Sequence, residues 1–310
     1  MRIVFMGTPE SAVPSLRRLI EDGHELVAVW TQPDKPAGRG KKLHQSPIKE
    51  FALKHNLAIY QPQKIKTNEA KELFTSHKAE VAVVAAYGKI LPSEFLSAPN
   101  RGCINVHFSL LPEYRGAAPV NWAIVNGEEQ TGVTTMQIVE ELDAGPILLQ
   151  QATKVSAGET APDLLMRLAD MGAELISETL RNLDQIEPKA QRESEASFAP
   201  ILKREDGLID WSRDAFAIER QIRGFQPWPN AYTFMNSRRL ILWQADPARA
   251  AAATTAPGSV VAAEGDELSV ASGDRTKLRV LELQPEGARR MSARDFLNGI
   301  RITRGDCLGK

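Results

Sequence analysis

The sequence predicts an α/β domain with a doubly wound, mainly parallel sheet, followed by a smaller β-barrel domain. Three observations lead to this prediction. Short β-branched runs alternate with helix-period segments over residues 1–155, a polar segment follows the last helix, and after about residue 206 short runs alternate apolar with polar residues. Strands that alternate with helices form right-handed βαβ units, whose parallel strands are covered on both faces.

The N-terminal elements indicate a Rossmann-like sheet. Strand candidates lie at 2–6, 25–31, 80–88, 102–109 and 132–140, and helix candidates at 11–23, 48–56 and 68–78. Apolar residues recur at helical spacing over 160–183, which predicts a long amphipathic helix at the end of this domain.

Residues 184–200 are polar and poor in large apolar side chains, as surface linkers are. We therefore expect one domain over 1–186, a linker over 187–205 and a second domain over 206–310. The second domain begins with a predicted helix at 212–225, and its short runs, separated by turn-rich pieces, indicate an OB-like antiparallel barrel. These runs are 231–235, 239–245, 259–263, 267–272 and 277–284.

Composition excludes several classes of protein. The 310 residues carry 38 basic and 39 acidic side chains, so the global field predicts neither a nucleic-acid nor a membrane partner. Cys103 and Cys307 are far apart in the chain and predict neither a disulfide framework nor a zinc site. No apolar run approaches ~18 residues, and the N-terminus is unlike a signal peptide, so we expect a cytoplasmic protein.

Candidate chemistry lies at the carboxyl ends of strands, where ligands bind in open α/β sheets. Asn105, His107 and Ser109 alternate along strand 102–109 and should share one face, and Asp143 follows the next strand in a turn. Singly, a histidine in an apolar strand is usually a core residue, and an aspartate before Ala-Gly usually forms a turn. Together they offer an imidazole, a carboxylate and an amide donor for a developing oxyanion.

Segments 104–124 and 132–148 contain N-x-H, S-L-L-P, Y-R-G and L-D-x-G-P in that order. This series resembles the signature of the folate-dependent formyltransferases. The resemblance assigns catalytic roles to Asn105, His107 and Asp143, and it implies transfer of a formyl group from 10-formyltetrahydrofolate to an amine without a metal. Phe108 stands where family members usually carry a small residue.

The resemblance also implies a folate site at two neighbouring strand ends. One wall is the loop after the catalytic strand, Ser109, Leu110, Leu111 and Pro112. The other is the strand end at 85–92, with Tyr87, Gly88 and Ile90, where backbone groups would read the pterin.

A basic loop over 31–49 is similar to that of the branch of the family whose acceptor is methionyl-tRNA. It contains Lys35, Arg39, Lys41 and Lys42, and its glycines allow close approach to a partner. The resemblance continues through 198–211 and 222–233, where Asn230 replaces the usual glycine. It implies that the loop contacts the acceptor stem of methionyl initiator tRNA, for translation initiation, in a protein that we expect to be monomeric.

Charge partition adds a weaker argument for RNA binding by the barrel. Residues 201–310 carry 17 basic and 14 acidic side chains, so this half has a small positive excess. Such a barrel could hold RNA phosphates without reading bases, although dispersed solubilising charge explains the excess equally well.

The sequence leaves three other hypotheses about the function open. A formyltransferase with another amine acceptor fits the catalytic motifs. A nucleotide-dependent oxidoreductase fits the α/β domain, although the turn after the first strand has one glycine and lacks G-x-G-x-x-G. A non-catalytic RNA-binding protein fits the basic loop and the barrel, but it gives N-x-H and L-D-x-G-P no role.

Overall fold

The chain is described here by a computed structural model that covers residues 1–37, 42–249 and 255–309. Contacts divide it into two units. The first consists of Met1–Pro119, Gln130–Lys154 and Leu165–Ala199, and the second of Val120–Glu129, Val155–Leu164 and Pro200–Lys310. The polar segment that composition marks as a linker therefore belongs, as far as Ala199, to the first unit.

Strands and helices alternate in the N-terminal half of the chain, as the sequence predicts. The strands are β1 (Arg2–Gly7), β2 (Glu25–Trp30), β3 (Lys35–Ala37), β4 (Lys42–His44), β5 (Ile59–Tyr60), β6 (Val81–Ala85), β7 (Cys103–His107), β8 (Arg115–Gly116), β9 (Gln130–Gln137), β10 (Ile147–Lys154) and β11 (Phe198–Ala199). The helices are α1 (Val13–Glu21), α2 (Pro47–Lys54), α3 (Asn68–Ser76), α4 (Ser93–Ser97), α5 (Pro119–Asn126) and α6 (Ala161–Arg181).

The main sheet of the first unit has the order β10-β9-β7-β6-β1-β2-β5. Strands β5, β2, β1, β6 and β7 are parallel, whereas β9 pairs antiparallel with both β7 and β10. The mainly parallel sheet predicted from the sequence is confirmed. Because the parallel strands end at one edge, the chain that follows β1, β6 and β7 gathers there.

Local sequence explains where several helices begin. The Ser46 hydroxyl accepts a hydrogen bond from the Lys49 amide at 3.1 Å, and Pro47 occupies the first turn of α2. Thr67 caps α3 in the same way through the Ala70 amide. Each cap satisfies a backbone donor that the helix itself leaves unpaired.

One face of the sheet packs around the fully buried Trp30. Its ring makes edge contacts with Phe74 and Phe95 at centroid distances of 5.3 and 5.4 Å, and its indole N–H donates to His77 Nε2 at 3.2 Å. Burial lowers the pKa of His77, which keeps its Nε2 available as an acceptor.

The second unit is built around an antiparallel sheet with the order β12-β13-β16-β15-β14, with β17 on β16. Its strands are β12 (Ala231–Met235), β13 (Arg238–Arg249), β14 (Val260–Glu264), β15 (Glu267–Ser272), β16 (Thr276–Pro285) and β17 (Met291–Ser292), and helices α7 (Ala215–Gly224) and α8 (Ala293–Gly299) accompany them. The antiparallel β domain predicted from the sequence is confirmed.

Among the described residues, the periodicity of the sequence missed several elements: strands β5, β10 and β17, the β3–β4 hairpin, the β8–β11 pair and helices α4, α5 and α8. Most of these elements are short, and β10 has polar residues at its centre, so their hydrophobic periodicity is weak. Among the described residues, no helix is long and apolar enough to cross a membrane.

Helix α6 approaches the sheet closely at Gly172. A Cβ at this position would lie 2.7 Å from Val106 Cγ1 on β7 and 3.4 Å from Val133 Cγ1 on β9. Val106 is buried and β-branched, so its methyl group has little freedom to move aside. Glycine at this position therefore sets how closely the helix packs on the strand that carries the candidate catalytic residues.

We expect Gly172→Ala to lower the free energy of unfolding by about 1–3 kcal/mol through overpacking. Adding Val106→Ala should recover part of this loss, because it removes the clashing methyl group. Urea denaturation of the two single variants and the double variant measures the coupling. Gly299→Ala, where an added Cβ meets nothing within 4 Å, is the matched control. Equal losses at Gly172 and Gly299 would contradict the packing argument.

Candidate active site

Strand β7 brings Asn105 and His107 to the edge of the sheet where parallel strands end. Val106 and the ring of Phe108 lie beside Gly172 of α6, so the alternation of the strand directs Asn105 and His107 to the other face. His107 is 5% exposed and Asn105 is partly buried. The two residues that the sequence selected thus share one face, and Phe108 packs on the opposite one.

The imidazole of His107 lies between a backbone carbonyl and a carboxylate. Its Nε2 is 3.0 Å from the Tyr114 carbonyl oxygen, and its Nδ1 is 3.7 Å from Asp143 Oδ2. A carbonyl only accepts, so Nε2 carries a proton, and Nδ1 faces the carboxylate beyond hydrogen-bond distance. The Tyr114 carbonyl therefore determines the tautomer of His107.

Asp143 occupies a turn between β9 and β10 with φ of 50°, in the left-handed region. Its Oδ2 atom accepts a hydrogen bond from the Gly116 amide at 2.9 Å, and its side chain is 13% exposed. Gly116 itself has φ of 125°, and a Cβ there would lie 2.5 Å from the Ala199 carbonyl oxygen. Only glycine therefore fits where β8 meets both β11 and the aspartate.

The predicted folate loop at 109–112 is held by Thr134 of β9. The Thr134 hydroxyl donates to the Ser109 carbonyl at 2.7 Å and accepts from the Leu111 amide at 3.1 Å and from Gln150 Nε2 at 3.0 Å. Gln150 also donates to the Leu111 carbonyl. Ser109 and Leu111 are buried, so the partly buried Leu110 and Pro112 supply the surface of this loop.

The predicted pterin wall at 85–92 presents its backbone rather than its aromatic ring. Tyr87 is 2% exposed and lies in the core around Trp30, where burial raises the pKa of its phenol to about 12. Its carbonyl accepts from Gln32 Nε2 at 3.0 Å and from the Thr8 hydroxyl at 3.2 Å. Gly88 has φ of 76°, and Ile90 is 69% exposed.

The basic loop is described at its base and not at its tip. Arg39 and Lys41 lie outside the described residues, whereas Lys35 and Lys42 belong to the paired strands β3 and β4. Lys35 Nζ donates to Gln32 Oε1 at 2.9 Å. Gln32 thus joins the base of this loop to the pterin wall.

Asp34 also holds the base of the basic loop in place. Its two carboxylate oxygens accept hydrogen bonds from Gln61 Nε2 at 2.8 Å and from Lys49 Nζ at 2.6 Å. These bonds lower the pKa of Asp34 below that of an ordinary aspartate, so the carboxylate keeps its charge to a lower pH. The loop therefore leaves the sheet from a fixed position.

Sequence reasoning missed the residues that surround the pair. Tyr114 and Gly116 belong to the Y-R-G motif but receive no separate role from it, and Thr134, Gln150 and Gln191 are not singled out by any motif. Their contacts are long-range in sequence and polar, so hydrophobic periodicity carries no signal of them. Within the described ranges, no group of three or more His, Cys, Asp or Glu side chains could hold a metal ion.

Two family models match most of the chain. Residues 1–180 match the model described as formyl transferase, and residues 201–301 match the model described as formyl transferase, C-terminal domain.

Full-length relatives give the same result. The chain is 49% identical to the methionyl-tRNA formyltransferase of Caldanaerobacter subterraneus subsp. tengcongensis, over 99% of this chain and 100% of that protein. It is 47% identical to the methionyl-tRNA formyltransferase of Bacillus subtilis, over 99% of this chain and 98% of that protein.

Solved structures with low identity share the fold. WlaRD, a sugar 3N-formyl transferase crystallised in the presence of dTDP and 5-N-formyl-THF, has a TM-score of 0.67 at 20% identity, over 93% of this chain and 99% of that chain. Methionyl-tRNA formyltransferase from Clostridium thermocellum has a TM-score of 0.58 at 19% identity, over 79% and 93%. With both family models matched and close relatives that align over nearly its whole length, the chain belongs to the formyl transferase family.

Proposed function

We propose that this enzyme transfers the formyl group of 10-formyltetrahydrofolate to the α-amino group of methionine esterified to initiator tRNA. The observation that carries the proposal is the full-length similarity, at 49 and 47% identity, to methionyl-tRNA formyltransferases. The similarity extends over both domains, because residues 1–180 and 201–301 each match a family model.

The reaction makes two demands on the site. Attack of the neutral amine on the formyl carbon forms a tetrahedral intermediate with an alkoxide and a positively charged nitrogen. The site must stabilise the alkoxide with hydrogen-bond donors and accept a proton from the nitrogen. Collapse of the intermediate then breaks the bond between the carbon and N10 of the folate, and N10 takes up a proton.

The geometry at β7 suits these demands. The side-chain amide of Asn105 is the natural donor to the alkoxide, because an amide N–H needs no change of charge to donate. His107 and Asp143 act together as the proton-accepting unit. With Nε2 committed to the Tyr114 carbonyl, Nδ1 of His107 and the Asp143 carboxylate are the two acceptors left to take the proton of the amine.

A comparison of acceptors tests the proposed substrate. Initiator methionyl-tRNA, elongator methionyl-tRNA and free methionine are offered with 10-formyltetrahydrofolate, and the formylated product is measured. The proposal requires the initiator tRNA to be the preferred acceptor. Preference for a small amine would instead support a family member with a different acceptor.

We expect Asn105→Ala, His107→Ala and Asp143→Asn each to lower kcat by at least about a hundredfold, the range for loss of one oxyanion donor or proton-transfer group. Single-turnover formylation measures the loss, and circular dichroism with thermal melting checks the fold. His55→Ala, at an exposed histidine after α2, is the control. Near-normal turnover in a folded variant removes that residue from the scheme.

The basic loop gives a prediction about salt dependence. We expect the joint change of Arg39, Lys41 and Lys42 to Ala to weaken tRNA binding and to flatten log K against log salt by up to about 0.7–0.9 for each phosphate that the loop no longer neutralises. Folate affinity should be unchanged. Joint substitution of the exposed Lys54, Lys64 and Lys66 by Ala changes the net charge equally and serves as the control. An unaltered slope in the loop variant argues against this contact.

Thr134→Val tests the folate loop. The change keeps the shape of the side chain but leaves the Leu111 amide without its acceptor, which costs about 1–3 kcal/mol for a buried group. We expect a raised KM for the folate and an unchanged KM for tRNA in steady-state formylation. Thr131→Val, at another buried threonine of β9, is the matched control. Equal effects of the two variants would show that the folate loop does not depend on Thr134.

A further inference from the structure

The turn that carries Asp143 is held by a residue of the polar segment after α6. Gln191 Nε2 donates to the Asp143 carbonyl at 2.8 Å and to the Gly145 carbonyl at 2.7 Å. Both carbonyls belong to the turn itself, so one side-chain amide spans it. Close packing of the Gly145 backbone on the Gln137 carbonyl holds the turn from the other side.

Arg115 determines which way the Gln191 amide points. Its Nε atom donates to Gln191 Oε1 at 2.9 Å, and because a guanidinium is only a donor, the NH₂ of Gln191 must face the turn. Arg115 is 3% exposed, and its other donors form a two-pronged pair with Glu193 at 3.0 and 2.8 Å. The hydrogen bond from Arg115 lowers the pKa of Glu193 and keeps the pair charged.

The same polar segment also holds the strand that orients the catalytic pair. The Ser197 hydroxyl accepts from the Tyr114 amide at 2.9 Å, and the Ser197 carbonyl accepts from the Arg115 amide at 2.8 Å. Tyr114 in turn meets His107 through its carbonyl, and Gly116 meets Asp143 through its amide. Both sides of the His107–Asp143 contact are therefore supported by residues 191–197.

We propose that Gln191, oriented by the buried Arg115 and its ion pair with Glu193, is a positioning residue that aims the Asp143 carboxylate at His107. It touches Asp143 only through the backbone of the turn, so it acts on the proton-accepting unit without contacting the reacting atoms. A displacement of about 1 Å at a reacting group costs up to about a hundredfold in rate. This inference rests on the proposed function and on the role given there to Asp143.

The test is a double-mutant cycle between Gln191→Met and Asp143→Asn, with formyl transfer to initiator methionyl-tRNA measured under single turnover. Methionine keeps the length of the side chain and removes all three hydrogen bonds of the amide, the two to the turn and the one from Arg115. We expect Gln191→Met alone to lower kcat about 10- to 100-fold with KM for both substrates unchanged, and to cause no further loss in the Asp143→Asn background. A general structural role would lower the rate equally in both backgrounds, and this result would overturn the inference.

Two further variants keep the outcome interpretable. Gln185→Met makes the same substitution at an exposed glutamine just after α6 and should leave kcat unchanged. If Gln191→Met does not fold, Glu193→Gln takes its place in the cycle. The Glu193 side chain is 72% exposed, so the substitution should leave the fold intact, but it removes one of the two hydrogen bonds that Arg115 donates to this carboxylate. Glu193→Gln should lower kcat in the wild-type background and leave kcat unchanged in the Asp143→Asn background. Equal losses of kcat in the two backgrounds, or no loss in either, would overturn the inference. Absence of formyl transfer by the wild-type chain would instead refute the proposed function.

Discussion

The candidate site depends on two main-chain groups of one short segment, Tyr114 in the turn before β8 and Gly116 within that strand. The Tyr114 carbonyl binds the imidazole of His107, and the Gly116 amide, two residues later, binds the carboxylate of Asp143. Because both groups belong to the same rigid backbone, the distance between the imidazole and the carboxylate is set by the strand and not by the flexibility of either side chain. A proton-transfer pair needs this kind of fixed geometry, since misplacement by a fraction of a bond length alters its rate.

Backbone groups held by hydrogen bonds also form the two walls of the proposed folate site. In the loop after β7, the backbone groups of Ser109 and Leu111 bind Thr134 and Gln150, and these hydrogen bonds restrain this part of the loop. At the opposite wall, the side chain of Gln32 binds the Tyr87 carbonyl and is itself bound by Lys35 of the basic loop. Folate and tRNA contacts, as proposed, would therefore start from backbone positions that the protein has already fixed, which lowers the entropy lost on binding.

Net charge illustrates how an average hides local chemistry. Basic and acidic residues nearly cancel over the chain, which argued against a polyanionic partner. The close relatives are nevertheless methionyl-tRNA formyltransferases. A few lysines and arginines concentrated in one loop would, in the proposed complex, supply phosphate contacts without shifting the total, because screening confines their field to about 10 Å.

Periodicity along the chain predicts the fold class and the two β architectures, and the ordered motifs, through the resemblance that they carry, select Asn105, His107 and Asp143 as candidates. Both signals are local properties of the sequence. The contacts that hold these three residues in place are visible only in the tertiary structure. The Tyr114 carbonyl faces Nε2, the ring of Tyr87 is buried in the core, and Gln191 spans the Asp143 turn from a segment whose composition indicates only a linker. The contacts of Tyr114 and Gln191 are single hydrogen-bond contacts, and geometry of this kind leaves no periodic trace in a sequence.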